Sequence, residues 1–168
     1  CLLGLHLAAS HSVSRLMLLA PYFAVRRQWY YILPPEAYLF SIGRLFDDLP
    51  RLRLPIGDRE MQKAAKDIAF FHTFNLNAVR SASELIDIVK RELPTVKTPT
   101  AIVQSRADSV VDPSGASYVK DVMGDRLEKL VWLDDSDHVI TLDRDRDLVF
   151  EAVSTFLVSE KHKSQEVT

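Results

Sequence analysis

Two side chains in this sequence stand where acid–base chemistry could be done. Asp108 lies in Ser105-Arg106-Ala107-Asp108-Ser109-Val110-Val111, just beyond an apolar run that ends near Gln104. His138 lies in Asp134-Asp135-Ser136-Asp137-His138-Val139-Ile140, just beyond a run that ends near Leu133. An imidazole takes a proton from a hydroxyl nucleophile and later passes it to the leaving group. A carboxylate on its other nitrogen fixes the tautomer and steadies the imidazolium that forms. Both groups then need rigid supports, and strand ends supply them.

The supports can be read from the pattern. Residues 15–20, 99–104 and 128–133 are short apolar runs, as expected of strands covered on both faces. Residues 1–11 are rich in Leu and Ala, with Gly4 and Ala8 at small-residue spacing, and predict a buried helix packed closely on a sheet. Asp112-Pro113 predicts a helix start, with Asp as cap and Pro at the first helical position, running to about Met123 and stopping near Gly124. Asp143 predicts a cap for a final helix from about Arg144 to Ser159, with Asp145 and Asp147 in its first turn, where the dipole favours them. Strands alternating with helices imply a mostly parallel sheet, with function at the carboxyl ends of its strands.

Residues 22–98 break that rhythm. They predict helices near 35–47, 58–71 and 78–92, no clear strand, and a helical cap inserted over one end of the sheet. The expected organisation is therefore a partial core at 1–21 and 99–160, a helical insertion at 22–98 and a disordered tail at 161–168. Within the insertion, Trp29, Tyr30, Tyr31, Tyr38, Phe40, Phe46, Phe70, Phe71 and Phe74 either form its core or line an apolar ligand pocket.

Bulk properties narrow the function classes. The 168 residues are 47% hydrophobic and 26% charged, which is ordinary globular composition. With 21 basic against 23 acidic residues there is neither a basic surplus nor a basic stripe, so nucleic acid is not an expected partner. The longest apolar run, Leu16 to Val25, contains Pro21 and is roughly half a membrane span, so no spanning helix is expected. The single cysteine, Cys1, allows no internal disulfide and no thiolate metal site, and fits a reducing, cytoplasmic setting. None of the five histidines has an H-x-x-x-H partner, so neither a metal nor another cofactor is expected.

The string Arg106-x-Asp108-x-Val110-Val111-x-Pro113, then Val131-Trp132-Leu133, then Ser136-x-His138-Val139-Ile140-Thr141-Leu142-Asp143 resembles the acid and histidine loops of carboxylesterases and monoacylglycerol-lipase-like α/β-hydrolases. Residues 1–9 resemble the helix after the G-x-S-x-G nucleophile elbow, and Leu18-Leu19-Ala20-Pro21 the next core strand and its exit. The resemblance implies the carboxyl-terminal part of an α/β-hydrolase. It makes Asp108 the triad acid and His138 the triad base, in the order Asp then His. It places the nucleophilic serine about three residues before Cys1. The family often has Gly just before the histidine. Here Asp137 stands there, and a charged neighbour would shift the loop or raise the pKa of His138.

Plainer roles compete at several positions. Asp134, Asp135 and Asp137 read most simply as a solvated turn, Asp112 as a cap rather than a rival acid, and His6 and His11 as structural. Ser41 has no G-x-S-x-G around it. Cys1 reads neither as a signal-peptide core, which would need basic residues before it, nor as a lipoprotein start, which a polar tether would follow. It reads as a helix entered mid-element. The resemblance thus implies a serine esterase of apolar, short to medium acyl esters, inactive without its nucleophile. Its partners would be a small-molecule ester and the amino-terminal half of the fold. The alternatives are a non-catalytic fragment or binding module, and hydrolysis of an amide, thioester or epoxide. A strand at 15–20 without its neighbour would offer an unpaired apolar edge, from which self-association is expected.

Overall fold

Every residue of β4, Thr100–Ser105, is buried, as a strand covered on both faces requires. The computed structural model describes residues 1–26, 48–50, 54–68 and 73–158. Within them β4 is the middle of a three-stranded sheet, flanked by β1, Leu16–Leu19, and β5, Leu127–Leu133. Both pairings are parallel, with Leu18 beside Ile102 and Val103 beside Val131. The three strands fall on the three apolar runs, each displaced by about a residue at its ends.

Alternation along the strands sends side chains into two cores. On one face Leu18 and Ile102 meet Leu2, Leu5 and Ala8 of helix α1, Leu2–Ser10, and Ala116, Val119 and Met123 of helix α4, Ser114–Met123. On the other face Val103 and Leu133 meet Val149 and Ala152 of helix α5, Arg146–Val158. Truncating a fully buried aliphatic such as Ile102 to Ala in such a core costs about 2–5 kcal/mol.

Local chemistry sets the helix ends. Pro113, not Asp112, is the N-cap residue of α4, and Asp112 Oδ1 accepts the N–H of Ser114, the first helical residue, at 2.9 Å. Gly124 ends the helix at φ 57°, a conformation that only glycine adopts without strain. Gly115, one residue inside α4, lets Phe23 approach: a Cβ there would lie 2.9 Å from the Phe23 Cβ.

The segment 22–98 differs from its expectation in two ways. It contains two strands, β2, Asp48–Pro50, and β3, Thr73–Asn75, paired antiparallel. Three residues are too few for a period of two to show in sequence. Its described helices are α2, Arg59–Ile68, and α3, Leu76–Glu92; the helix expected near 35–47 lies outside the described residues. Lastly, Ile86 and Val89 of α3, with Leu93 and Val96 just after it, join the core around Ile102. The end of this segment therefore builds the helical layer beneath the sheet. The tail at 161–168 and most of the aromatic cluster also lie outside the described residues.

Candidate active site

Because the sheet is parallel, the loops after β4 and β5 emerge at the same end, and they carry Asp108 and His138. Asp108 is fully buried and His138 is about a quarter exposed, at 28%. Asp108 Oδ2 lies 2.9 Å from His138 Nδ1. The other carboxylate oxygen, Oδ1, accepts the N–H groups of Val110 and Val111, each at 2.9 Å. Gln104 Nε2 adds a fourth donor, 3.1 Å from Oδ2. Burial alone would raise the pKa of this carboxyl. The hydrogen bond and charge of His138, with the two N–H groups, outweigh burial and hold it below its ordinary value. Asp108 is thus an ionised acceptor fixed at both oxygens. With Nδ1 committed to it, the imidazole presents Nε2 for proton transfer.

The acid loop is tied down from three sides. Arg26 donates its backbone N–H to Val110 O at 3.0 Å and its guanidinium to Asp108 O. Asp112 donates its N–H to Ala24 O at 2.9 Å. Ser105 Oγ donates to Ser136 O and accepts the N–H of Ala107 at 3.0 Å, joining the two loops at their roots. Arg106 stacks on Trp132, 4.5 Å from the ring centre, and pairs with Asp134 at 3.2 Å.

The three acids before His138 do not share one fate, which corrects the reading of a solvated turn. Asp134 and Asp135 are exposed, but Asp137 is buried. Its carboxylate accepts the N–H of Ser109 at 2.8 Å, the Ser109 hydroxyl at 2.9 Å and the N–H of His138 at 2.8 Å. Asp143 also does more than cap the last helix. Its carboxylate accepts N–H groups from Gly57, Asp58, Asp137 and Arg144, at 2.6 to 2.9 Å. Burial opposes ionisation there too, and the four donors still lower its pKa. Asp145 accepts from Asp135 N–H and from the Ser136 hydroxyl.

The sequence reading missed Gln104, Ser105, Ser109 and Asp137 as site residues. Gln104 and Ser105 had a signal: two polar residues in a row after the apolar stretch Ala101-Ile102-Val103. The amide of Gln104 is oriented by its neighbours, since turning it would aim Oε1 at both Ser105 O and the Asp108 carboxylate. His6 pairs with Glu92 at 2.7 Å and His11 with Ser10 at 2.9 Å, both away from Asp108 and His138.

Cys1 supplies one more placement. Its thiol donates to Leu19 O, the last residue of β1, at 3.1 Å. The start of α1 therefore stands at the same end of the sheet as the two loops. Ala20, next along the chain, holds φ at 46° in the left-handed region. Among the described residues no group of acidic, histidine or cysteine side chains could hold a metal, and no helix is long and apolar enough to cross a membrane.

Residues 2–145 match the family described as serine aminopeptidase, S33. The chain belongs to this α/β-hydrolase family. A member of the S33 family in this sense, it is 29% identical to a carboxylesterase of Bacillus subtilis (strain 168) over 96 residues, 57% of this chain and 39% of that protein. Among solved structures it resembles a monoacylglycerol lipase of Paleococcus ferrophilus, with TM-score 0.75 and 16% identity, over 94% of this chain and 64% of the other. It also resembles a structure from work on LipS and LipT, two metagenome-derived lipolytic enzymes, with TM-score 0.71 and 22% identity, over 94% and 61%. A soluble variant of the Saccharomyces cerevisiae monoglyceride lipase gives TM-score 0.70 and 12% identity, over 94% and 58%. At these identities the structural likeness shows the fold, which is that of a partial α/β-hydrolase. The chain spans less than two thirds of the length of each of these relatives.

Proposed function

We propose that this chain supplies the acid and base of a serine hydrolase that cleaves carboxylic esters with apolar, short to medium acyl chains. The carrying observation is the 2.9 Å bond between Asp108 Oδ2 and His138 Nδ1, made by a carboxylate whose other oxygen is already saturated. In this reading Asp108 holds His138 in the tautomer with its proton on Nδ1. Nε2 takes the proton of a serine hydroxyl as that oxygen attacks the ester carbonyl, then returns it to the departing alcohol. Water repeats the cycle on the acyl-enzyme.

The serine would come from an elbow preceding Cys1. The placement of Cys1 against Leu19 supports this, because it sets the start of α1 beside the acid and histidine loops. Carboxylesterase and lipase relatives favour ester substrates over amides.

Fluorophosphonate labelling read by intact mass tests the proposal, on protein carrying the segment that precedes Cys1. We expect one label per chain, lost in His138→Ala. Labelling that persists in His138→Ala at the wild-type rate would overturn the role of the base.

A further inference from the structure

We propose that Asp137 is a positioning residue for His138, locking the histidine loop to the acid loop through Ser109. This rests on the reading of Asp108 and His138 as acid and base. The two loops exchange bonds crosswise. Asp108 of the acid loop holds His138, and Asp137 of the histidine loop holds the residue after Asp108. The same carboxylate oxygen that takes the Ser109 N–H also takes the N–H of His138, so it fixes the backbone from which the imidazole springs. Asp137's own N–H is held by Asp143 at 2.7 Å.

An idle turn aspartate faces water, as Asp135 does here. Burying a carboxylate at 7% exposure is unfavourable unless donors replace the lost hydration. Asp137 has three such donors, and all come from the residues that follow Asp108 or carry the imidazole. Charge-assisted bonds of this kind are about twice as strong as neutral ones. Without the clamp, the remaining ties are the Asp108–His138 bond, the Ser105–Ser136 contact and the bonds of Arg106 to Leu133 O and Asp134, and of these only the first reaches His138 itself. A misplacement of about 1 Å at such a base costs on the order of a hundredfold in rate.

The test is proton NMR of the chain itself, following solvent exchange of the His138 Nδ1–H. We expect wild type to show this proton in slow exchange and Asp108→Asn to lose it. In Asp137→Ala it should exchange roughly tenfold faster, the size expected from losing one hydrogen bond to a charged group. Asp137→Asn should restore near-wild-type exchange, because an amide oxygen still accepts both N–H groups. Ser109→Ala removes the hydroxyl arm alone and should fall between; it decides the matter if Asp137→Ala does not fold. A purely structural role would lower the melting temperature and leave this proton's exchange unchanged. Wild-type exchange in folded Asp137→Ala or, failing that, in Ser109→Ala overturns the proposal. If the proton is missing in wild type, or survives Asp108→Asn, the acid–base assignment fails instead, and this inference with it.

Discussion

The carboxylate of Asp143 lies 2.6 Å from the backbone N–H of Gly57, a bond that spans 86 positions and ties the return of the 22–98 segment to the histidine loop. The same strap includes Val139 N–H to Pro55 O at 3.1 Å and Arg144 Nη2 to Gly57 O at 3.1 Å. Asp58, beside Gly57, caps α2 by accepting the N–H groups of Glu60 and Met61. One buried carboxylate thus sets the start of α2 relative to the loop that carries His138.

Removing that carboxylate strands four backbone donors. Asp143→Ala should destabilise the chain by about 3 kcal/mol or more, in urea unfolding. Asp143→Asn keeps one oxygen and should cost roughly half as much.

Acid should weaken the same two loops. Asp108 and Asp143 both have pKa values below the ordinary 3.8. A carboxyl depressed in the folded state binds protons more readily when unfolded, so stability rises with pH across this window. The contribution is complete above the unfolded value and is lost as pH falls through the folded ones. Melting temperature should therefore drop steeply below about pH 4. Asp108→Asn and Asp143→Asn should each flatten that drop; an unchanged slope in both would contradict the bonding described.

Much of this architecture was visible in local sequence. The run at 99–104 marked β4, Asp112-Pro113 marked the start of α4, and the run at 128–133 marked β5, whose exit loop carries His138. The rest depended on partners distant in sequence. Asp134, Asp135 and Asp137 are the same residue type on one turn, and only the approach of Ser109 separates the buried one. Asp143 looked like a helix cap because its bond to Arg144 is local, while Gly57 and Asp58 are not. Ile86, Val89, Leu93 and Val96 lie in a stretch with no strand pattern, and only their packing on Ile102 joins that stretch to the core.

Ala20 turns the chain away from β1 at φ 46°. Relief of left-handed strain in Ala20→Gly, about 1–2 kcal/mol, is offset by the lost methyl and the freer unfolded chain, so that variant should be near neutral. Ala20→Val should cost at least about 2 kcal/mol, since a β-branched residue fits this region poorly and the site is buried. Thermal melts of the two variants check the difference.

Among the described residues β1 pairs on one side only, with β4. Leu3 and Leu7 on nearby α1 are also exposed, at 66% and 51%. An apolar edge of this kind recruits another strand. Light scattering of the 168-residue chain should show concentration-dependent self-association. A monomer at all concentrations with a cooperative melt would contradict this.

The most direct test of the central claim is ester hydrolysis by Asp108→Asn, in protein that includes the nucleophile, with a p-nitrophenyl ester of short acyl chain and the variant's melt confirmed. Replacing the acid by its amide leaves the shape and removes control of the tautomer. The account predicts a fall in kcat on the order of 10⁴-fold with KM little changed. A kcat within a few-fold of wild type would show that Asp108 does not serve His138 as the acid.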